Sequence, residues 1–234
     1  MPNKISVLTW CYSREDVLNH TLQKWLYPKQ EGVSVEFIIG RGPGIGYPFT
    51  ATECRGELKW VDTPNLKMCE DYNAMARAAT GDILLITQCD MEVNSPTQLK
   101  RMAELCNDDI IVTERFFRDG KRDIGLFCQF LMVTKKRFME VGGFCELFDN
   151  PESAAHEDAD LVSSLLEAGC NLKRIETPKE EGVYHISHPR PDYVNDPVML
   201  KRLHKGAEIY NSRHKEGIMS LYAKQLLSGI GKKI

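Results

Sequence analysis

Gly81-Asp82-Ile83-Leu84-Leu85-Ile86-Thr87-Gln88-Cys89-Asp90-Met91-Glu92 decides how the rest of the chain is read. Ile83 to Thr87 is an unbroken apolar or β-branched run, with Gly before it and two acids, Asp90 and Glu92, soon after it. A run that short and that apolar fits a strand buried on both faces of a parallel sheet. Open α/β sheets bind ligands in the crevice outside the carboxyl ends of such strands. Oxygen ligands there suit a hard divalent cation that holds a phosphate-bearing substrate. The alternative is that the same acids solvate a strand end, since acidic side chains are ordinarily exposed.

Upstream, residues 66–80 predict a helix ended by Gly81, with Met68, Tyr72, Met75, Ala76 and Ala79 along one side. Before it, Ile5 to Thr9 reads as a strand. Ser13 and Asp16 mark a helix start, continued by Val17, Leu18, Leu22, Trp25 and Leu26, and Val33 to Ile39 supplies the next strand. This βαβ opening implies parallel pairing. Gly40-Arg41-Gly42-Pro43-Gly44-Ile45-Gly46 does not complete a GxGxxG fingerprint, because Ile45 and Tyr47 stand where the last Gly is required. It reads as a loop that could close over a bound nucleotide.

Downstream, Ser95-Pro96 opens a helix filled by Leu99, Met102, Ala103, Leu105 and Cys106. Residues 110–117 and 126–133 read as strands, and 135–141 as a short helix ended by Gly142-Gly143. Glu157-Asp158 introduces a helix over 159–168, and 171–177 and 182–186 are further strands. The expected fold class is α/β, a mostly parallel central sheet flanked by helices. The main domain is expected over residues 1–194, with a basic helical extension over 195–234.

The 234 residues, 42% hydrophobic and 27% charged, suffice for one substantial core. A net charge of −3 shows no overall basic footprint for nucleic acid. Pro2-Asn3-Lys4 leading into only Ile5-Ser6-Val7-Leu8 does not resemble a signal peptide, and no apolar run is long enough to span a bilayer. The eight cysteines form no CxxC pair, which favours a reducing, cytoplasmic setting. From Pro197 onward eight Lys or Arg face two acids, so that segment carries +6 and the remainder −9. Within it Ile218, Leu221, Tyr222, Leu226 and Ile230 recur at helical spacing beside Lys215, Lys224, Lys232 and Lys233. Residues 215–234 can therefore pack on the acidic domain or lie on an anionic membrane surface.

In consistent order over residues 4–190, these stretches resemble the GT-A glycosyltransferases. The likeness is to family 2-like enzymes and their galactosyl- and N-acetylgalactosaminyltransferase relatives. Val7 to Arg14 resembles the nucleotide-binding first strand and loop. Asn73 lies eight residues before Gly81-Asp82, as in the family's helix, and Gln88-Cys89-Asp90 occupies the DxD position. Gly142-Gly143-Phe144-Cys145-Glu146 is similar to the acceptor-side GGFDE element, His156-Glu157-Asp158 to the xED motif, and Tyr184 to His188 to the late histidine segment. Gln88 stands where the motif has its first Asp, while Asp90 keeps the second. Gly40-Arg41-Gly42 replaces the acid that commonly follows the second strand, and Cys145 replaces the Asp of GGFDE.

The resemblance implies a nucleoside-diphosphate sugar donor, a glycan or other hydroxyl acceptor, and an inverting, metal-dependent transfer. Asp90 and His185 would hold Mn²⁺ (or Mg²⁺), with diphosphate oxygens and water completing the shell. His188 would be a phosphate or metal contact. It lies three residues from His185, so both reach one ion only if the chain turns near Pro189. Asp158 would be the general base and Glu157 a contact to an acceptor hydroxyl. The same two acids also suit a first helical turn electrostatically. Thr9, Trp10, Arg14, Asn73 and Gln88 would contact the donor, and Glu92 could add an outer carboxylate. Two rival readings stay open: a non-catalytic sugar-nucleotide or glycan-binding relative, motivated by Gln88, and a nucleotidyltransferase, which lacks a phosphate loop here.

Overall fold

The apolar run at the centre of the chain forms strand β4 (Ile83–Gln88), and both of its faces are covered. Leu84 and Ile86 join one apolar cluster, while Ile83 and Leu85 join the other on the opposite face. Sequestering each of these side chains stabilises the fold by about 2 kcal/mol. Double coverage explains why the strand lacks an apolar–polar alternation. The computed structural model describes residues 4–11, 15–26, 30–42, 57–63, 67–118, 120–122, 129–186, 195–215 and 217.

β1 (Lys4–Cys11), helix α1 (Glu15–Leu26) and β2 (Ser34–Arg41) form the expected βαβ opening, with β1 parallel to both β2 and β4. β3 (Glu57–Asp62) adds an edge parallel to β2. α2 (Met68–Ala78) precedes β4, and β5 (Met91–Val93) follows it directly. Then come α3 (Gln98–Leu105), β6 (Ile110–Glu114), β7 (Phe117–Arg118), β8 (Lys121–Arg122), β9 (Phe130–Thr134) and α4 (Lys135–Glu140). A 3-10 turn (Glu146–Asp149), α5 (Glu157–Glu167), β10 (Asn171–Ile175), β11 (Val183–His185) and α6 (Pro197–Arg213) complete the order.

Among the described residues seven strands make the main sheet, in the order β10-β6-β9-β4-β1-β2-β3. It is parallel except for β9, which runs antiparallel to both β4 and β6. The chain leaves β1 toward β2 and β3 on one side and returns to β4 on the other. The reversal of strand order therefore falls between β1 and β4, where ligands of open α/β sheets bind. A smaller sheet, β5-β11-β7-β8, stands at that end.

Some expected boundaries shift. The helix expected over residues 66–80 spans Met68–Ala78, and the one placed at Ser95-Pro96 begins at Gln98 after a turn. α6 is capped by Asp196, whose carboxylate accepts hydrogen bonds from the Val198 and Met199 amides, with Pro197 in the first turn. Residues 216 and 218–234, which hold most of the basic apolar stripe, lie outside the described residues.

A buried carboxylate locks the sheet to the turn before β4. Glu36 on β2 accepts from Lys59 Nζ at 2.8 Å, from the Thr80 amide at 2.6 Å and from the Gly81 amide at 3.1 Å, and from the Ser6 hydroxyl. Burial opposes its charge, but these donors outweigh burial and hold the carboxyl well below the usual range. β1, β2, β3 and the start of β4 thereby share one anchor.

Candidate active site

β4 ends at Gln88, the chain turns through Cys89-Asp90, and β5 carries it into the smaller sheet. β11 pairs antiparallel with β5, with His185 opposite Met91, and the Ile186 amide donates to the Asp90 carbonyl at 2.8 Å. That register brings His185 Nε2 to 3.4 Å from Asp90 Oδ2, and both side chains are buried, at 2% and 6% exposure. Phe116 stacks on the imidazole with centroids 5.9 Å apart, and the Arg118 guanidinium lies over the same Phe116 ring, 5.1 Å from its centroid. Sequence reading missed Phe116 and Arg118, because only the pairing of β7 with β11 places them there.

Glu92 does not join this pair through any bond described; its carboxylate meets His20 of α1. Gln88 is exposed at the end of β4. Thr9 and Trp10 sit opposite Thr87 and Gln88 in the β1–β4 register. As neighbours on a strand they face opposite ways. Thr9 lines a small cavity with Gln88, Thr21 and Leu22, on the α1 side. Trp10 packs against the cluster on the α2 side, and its indole N–H donates to Asp71 at 2.7 Å. Burial pushes the Asp71 carboxyl up to about 6, against the hydrogen bonds it accepts. Arg41, in the segment that replaces the expected acid, pairs with Asp62 and lies over Trp60 at 5.8 Å. Arg14 and His188 lie outside the described residues.

Asn73 is engaged elsewhere. Its Nδ2 donates to the Phe144 carbonyl at 2.9 Å and to Glu146 at 3.1 Å, while its Oδ1 accepts from the Phe144 amide at 2.9 Å. Asn73, expected at the donor, holds the 142–146 turn through these bonds. Gly143, at φ +69°, passes so close that a Cβ there would lie 2.3 Å from Asn73 Oδ1. Asp149 then caps α2, accepting from the Cys69 and Glu70 amides at 2.9 Å each. Tyr72, one residue before Asn73, donates to the Thr87 carbonyl at 2.8 Å. α2 thus ties the end of β4 to the turn that precedes α5.

Glu157 and Asp158 open α5 and are half-buried. Burial raises both carboxyls, and for Glu157 the charges of Asp158 and Asp149 raise it further. The chain enters this helix through Ala155 at φ +60° and His156 at φ +73°, a left-handed conformation without a glycine. Each such residue costs on the order of 1 kcal/mol. The surrounding packing must hold them.

No family model matches the chain, and no curated protein matches it by sequence. Solved structures do match. One is the mannosyltransferase PcManGT from Pyrobaculum calidifontis in complex with GDP-Man and Mn²⁺, at TM-score 0.57 and 12% identity, covering 100% of this chain and 77% of that one. Another is S. aureus TarS 1–349 in complex with UDP-GlcNAc, at TM-score 0.69 and 12% identity, covering 95% and 71%. The chain has the GT-A glycosyltransferase fold. A further S. aureus TarS structure matches at TM-score 0.57 and 13% identity; 90% of this chain covers 43% of that one. At such identities the likeness is one of fold, and the site must be argued from its own residues.

Proposed function

We propose that this chain is a metal-dependent, inverting glycosyltransferase acting on a nucleoside-diphosphate sugar. The observation that carries the reading is the buried Asp90–His185 pair at the point where strand order reverses. A carboxylate oxygen and an imidazole nitrogen this close make the mixed donor set that suits Mn²⁺, with Mg²⁺ second. Among the described residues no group of three or more His, Cys, Asp or Glu could hold an ion. Diphosphate oxygens and water would complete the shell. Bound there, the ion would supply positive charge against the charge that develops on the leaving diphosphate.

Asp158 takes the proton of the acceptor hydroxyl at a carboxylate oxygen. The hydroxyl oxygen then bonds to the anomeric carbon, and the bond from that carbon to the diphosphate breaks with its electrons leaving on the phosphate. A carboxyl raised by burial is a better base near neutral pH than an exposed one. Glu157 bonds an acceptor hydroxyl, and Thr9, Trp10, Gln88, Arg14 and His188 line the donor. Asn73 positions the acceptor-side turn. Residues 1–194 form the catalytic unit and 195–234 its extension.

The PcManGT and TarS ligands supply the first probes. Nucleoside diphosphate released from UDP-GlcNAc or GDP-mannose with Mn²⁺ present, and absent without it, supports transfer chemistry. The exposed Gln88 in place of an acid favours a second reading, a sugar-nucleotide-binding relative. Saturable metal-dependent binding with no nucleotide release would select it. Among the described residues no helix is long and apolar enough to cross a membrane. Peripheral membrane contact through residues 215–234 is a separate proposal, tested by sedimentation with anionic liposomes.

A further inference from the structure

We propose that α6 is a strut that fixes the Glu157–Asp158 turn, and that Gly206 is the positioning residue on which the strut depends. The inference rests on the reading of Asp158 as the base. α6 touches the segment before α5 at successive points. The Ala154 amide donates to the Arg202 carbonyl at 3.0 Å, and Arg202 Nε donates to the Ser153 carbonyl at 3.3 Å. One turn further on, Gly206 is buried so closely that a Cβ would lie 2.5 Å from the Ala154 carbonyl oxygen. The same Cβ would lie 2.9 Å from that of Ala155 and 3.1 Å from His156 Cδ2. These are the residues that carry the left-handed backbone into α5.

The far end of α6 grips the body of α5. The Tyr210 hydroxyl pairs with Ser163 Oγ at 2.7 Å. Asp160, fully buried in the first turn after Asp158, accepts from Arg213 Nε at 2.6 Å and lies 2.9 Å from His214 Nε2. His214 Nδ1 lies 3.0 Å from Glu167. A helix held at both ends against α5 and against the chain that enters it fixes the direction in which the Glu157–Asp158 turn points. The left-handed pair has no glycine to make it easy, and α6 braces it through the close approach of Gly206 and through Tyr210, whose ring lies 6.2 Å from that of His156. Misplacement of about 1 Å at a reacting group can lower a rate by ~10²-fold.

Gly206→Ala is the test, read two ways beside Asp158→Asn. By amide hydrogen exchange, residues 153–160 should exchange at least about tenfold faster in Gly206→Ala, with β1, β2 and β4 unchanged. In nucleotide release from UDP-GlcNAc or GDP-mannose, kcat should fall by ~10²-fold while the donor KM stays within about twofold. Unchanged exchange at 153–160 overturns the strut, as does faster exchange with full kcat, or a rise in KM as large as the fall in kcat. If Asp158→Asn keeps full kcat, the reading of Asp158 as base fails instead, and the exchange result alone judges the strut. Should Gly206→Ala fail to fold, Tyr210→Phe, which removes only the hydroxyl on Ser163, is judged by the same two readouts.

Discussion

Asn73 closes both backbone hydrogen bonds of Phe144, donating to its carbonyl and accepting from its amide, each at 2.9 Å. Both partners are buried, so Asn73→Ala leaves an amide and a carbonyl unsatisfied, a loss on the order of 3 kcal/mol. Denaturant unfolding should show that loss. Metal-dependent binding of UDP or GDP by the fraction that stays folded should change by less than about threefold. A large loss of nucleotide affinity with intact stability would return Asn73 to the donor site.

Glu36 is the second structural test. Glu36→Gln removes the charge but keeps the shape, and leaves an amide facing donors from Ser6, Thr80 and Gly81. Lys59, its ion-pair partner, stays partly exposed, so weakening these charge-assisted bonds costs on the order of 2 kcal/mol. The folded-state carboxyl lies below its unfolded value of 4.5, so its contribution is present above about pH 4.5. That contribution is lost as pH falls below this value toward the depressed one. Acid unfolding of Glu36→Gln should be flatter over that window than that of the wild type.

Glu157 and Asp158 have the opposite sign. Both carboxyls are raised by burial, so the folded state holds protons that the unfolded state has released. Their ionisation lowers stability as pH rises from about 4 through the raised range. Asp158→Asn should raise Tm by about 3 °C at pH 8, with the gain vanishing near pH 4. In the same variant nucleotide release should fall ~10²-fold or more while donor affinity is nearly kept. For the wild type, turnover should rise with pH through the neutral range, because only the ionised base can take a proton. Equal loss of stability and donor binding would leave Asp158 as a helix-terminus charge.

β4, α2 and α5 were legible because each carries its own local signal: a continuous apolar run, a helical apolar stripe ended by Gly81, and acids in a first turn. β3 was missed. Its Glu57-Leu58-Lys59-Trp60-Val61-Asp62 sits at a sheet edge, with interior residues only partly buried, and so has no apolar run. The reversal of β9 between β4 and β6 is fixed by pairing between distant segments, which leaves no local trace. α6 falls within the helical extension expected over 195–234, though its own apolar spacing is weak because it buries only Gly206 and Tyr210. At the site, the meeting of Asp90 with His185 was expected from family motifs. Asn73 and Asp149 act by bonding across the fold to Phe144 and to α2, which residue spacing cannot reveal.

The central claim is that Asp90 and His185 together hold a divalent cation beneath a nucleoside diphosphate. Calorimetric titration of UDP and GDP, with and without Mn²⁺, tests it most directly. The wild type should bind at least one of the two nucleotides ten times or more tightly with Mn²⁺, about 1.4 kcal/mol. Asp90→Asn should abolish that difference, and His185→Ala should reduce it, with partial recovery at raised Mn²⁺. Nucleotide affinity indifferent to Mn²⁺ in the wild type, or an undiminished Mn²⁺ effect in Asp90→Asn, would contradict the account.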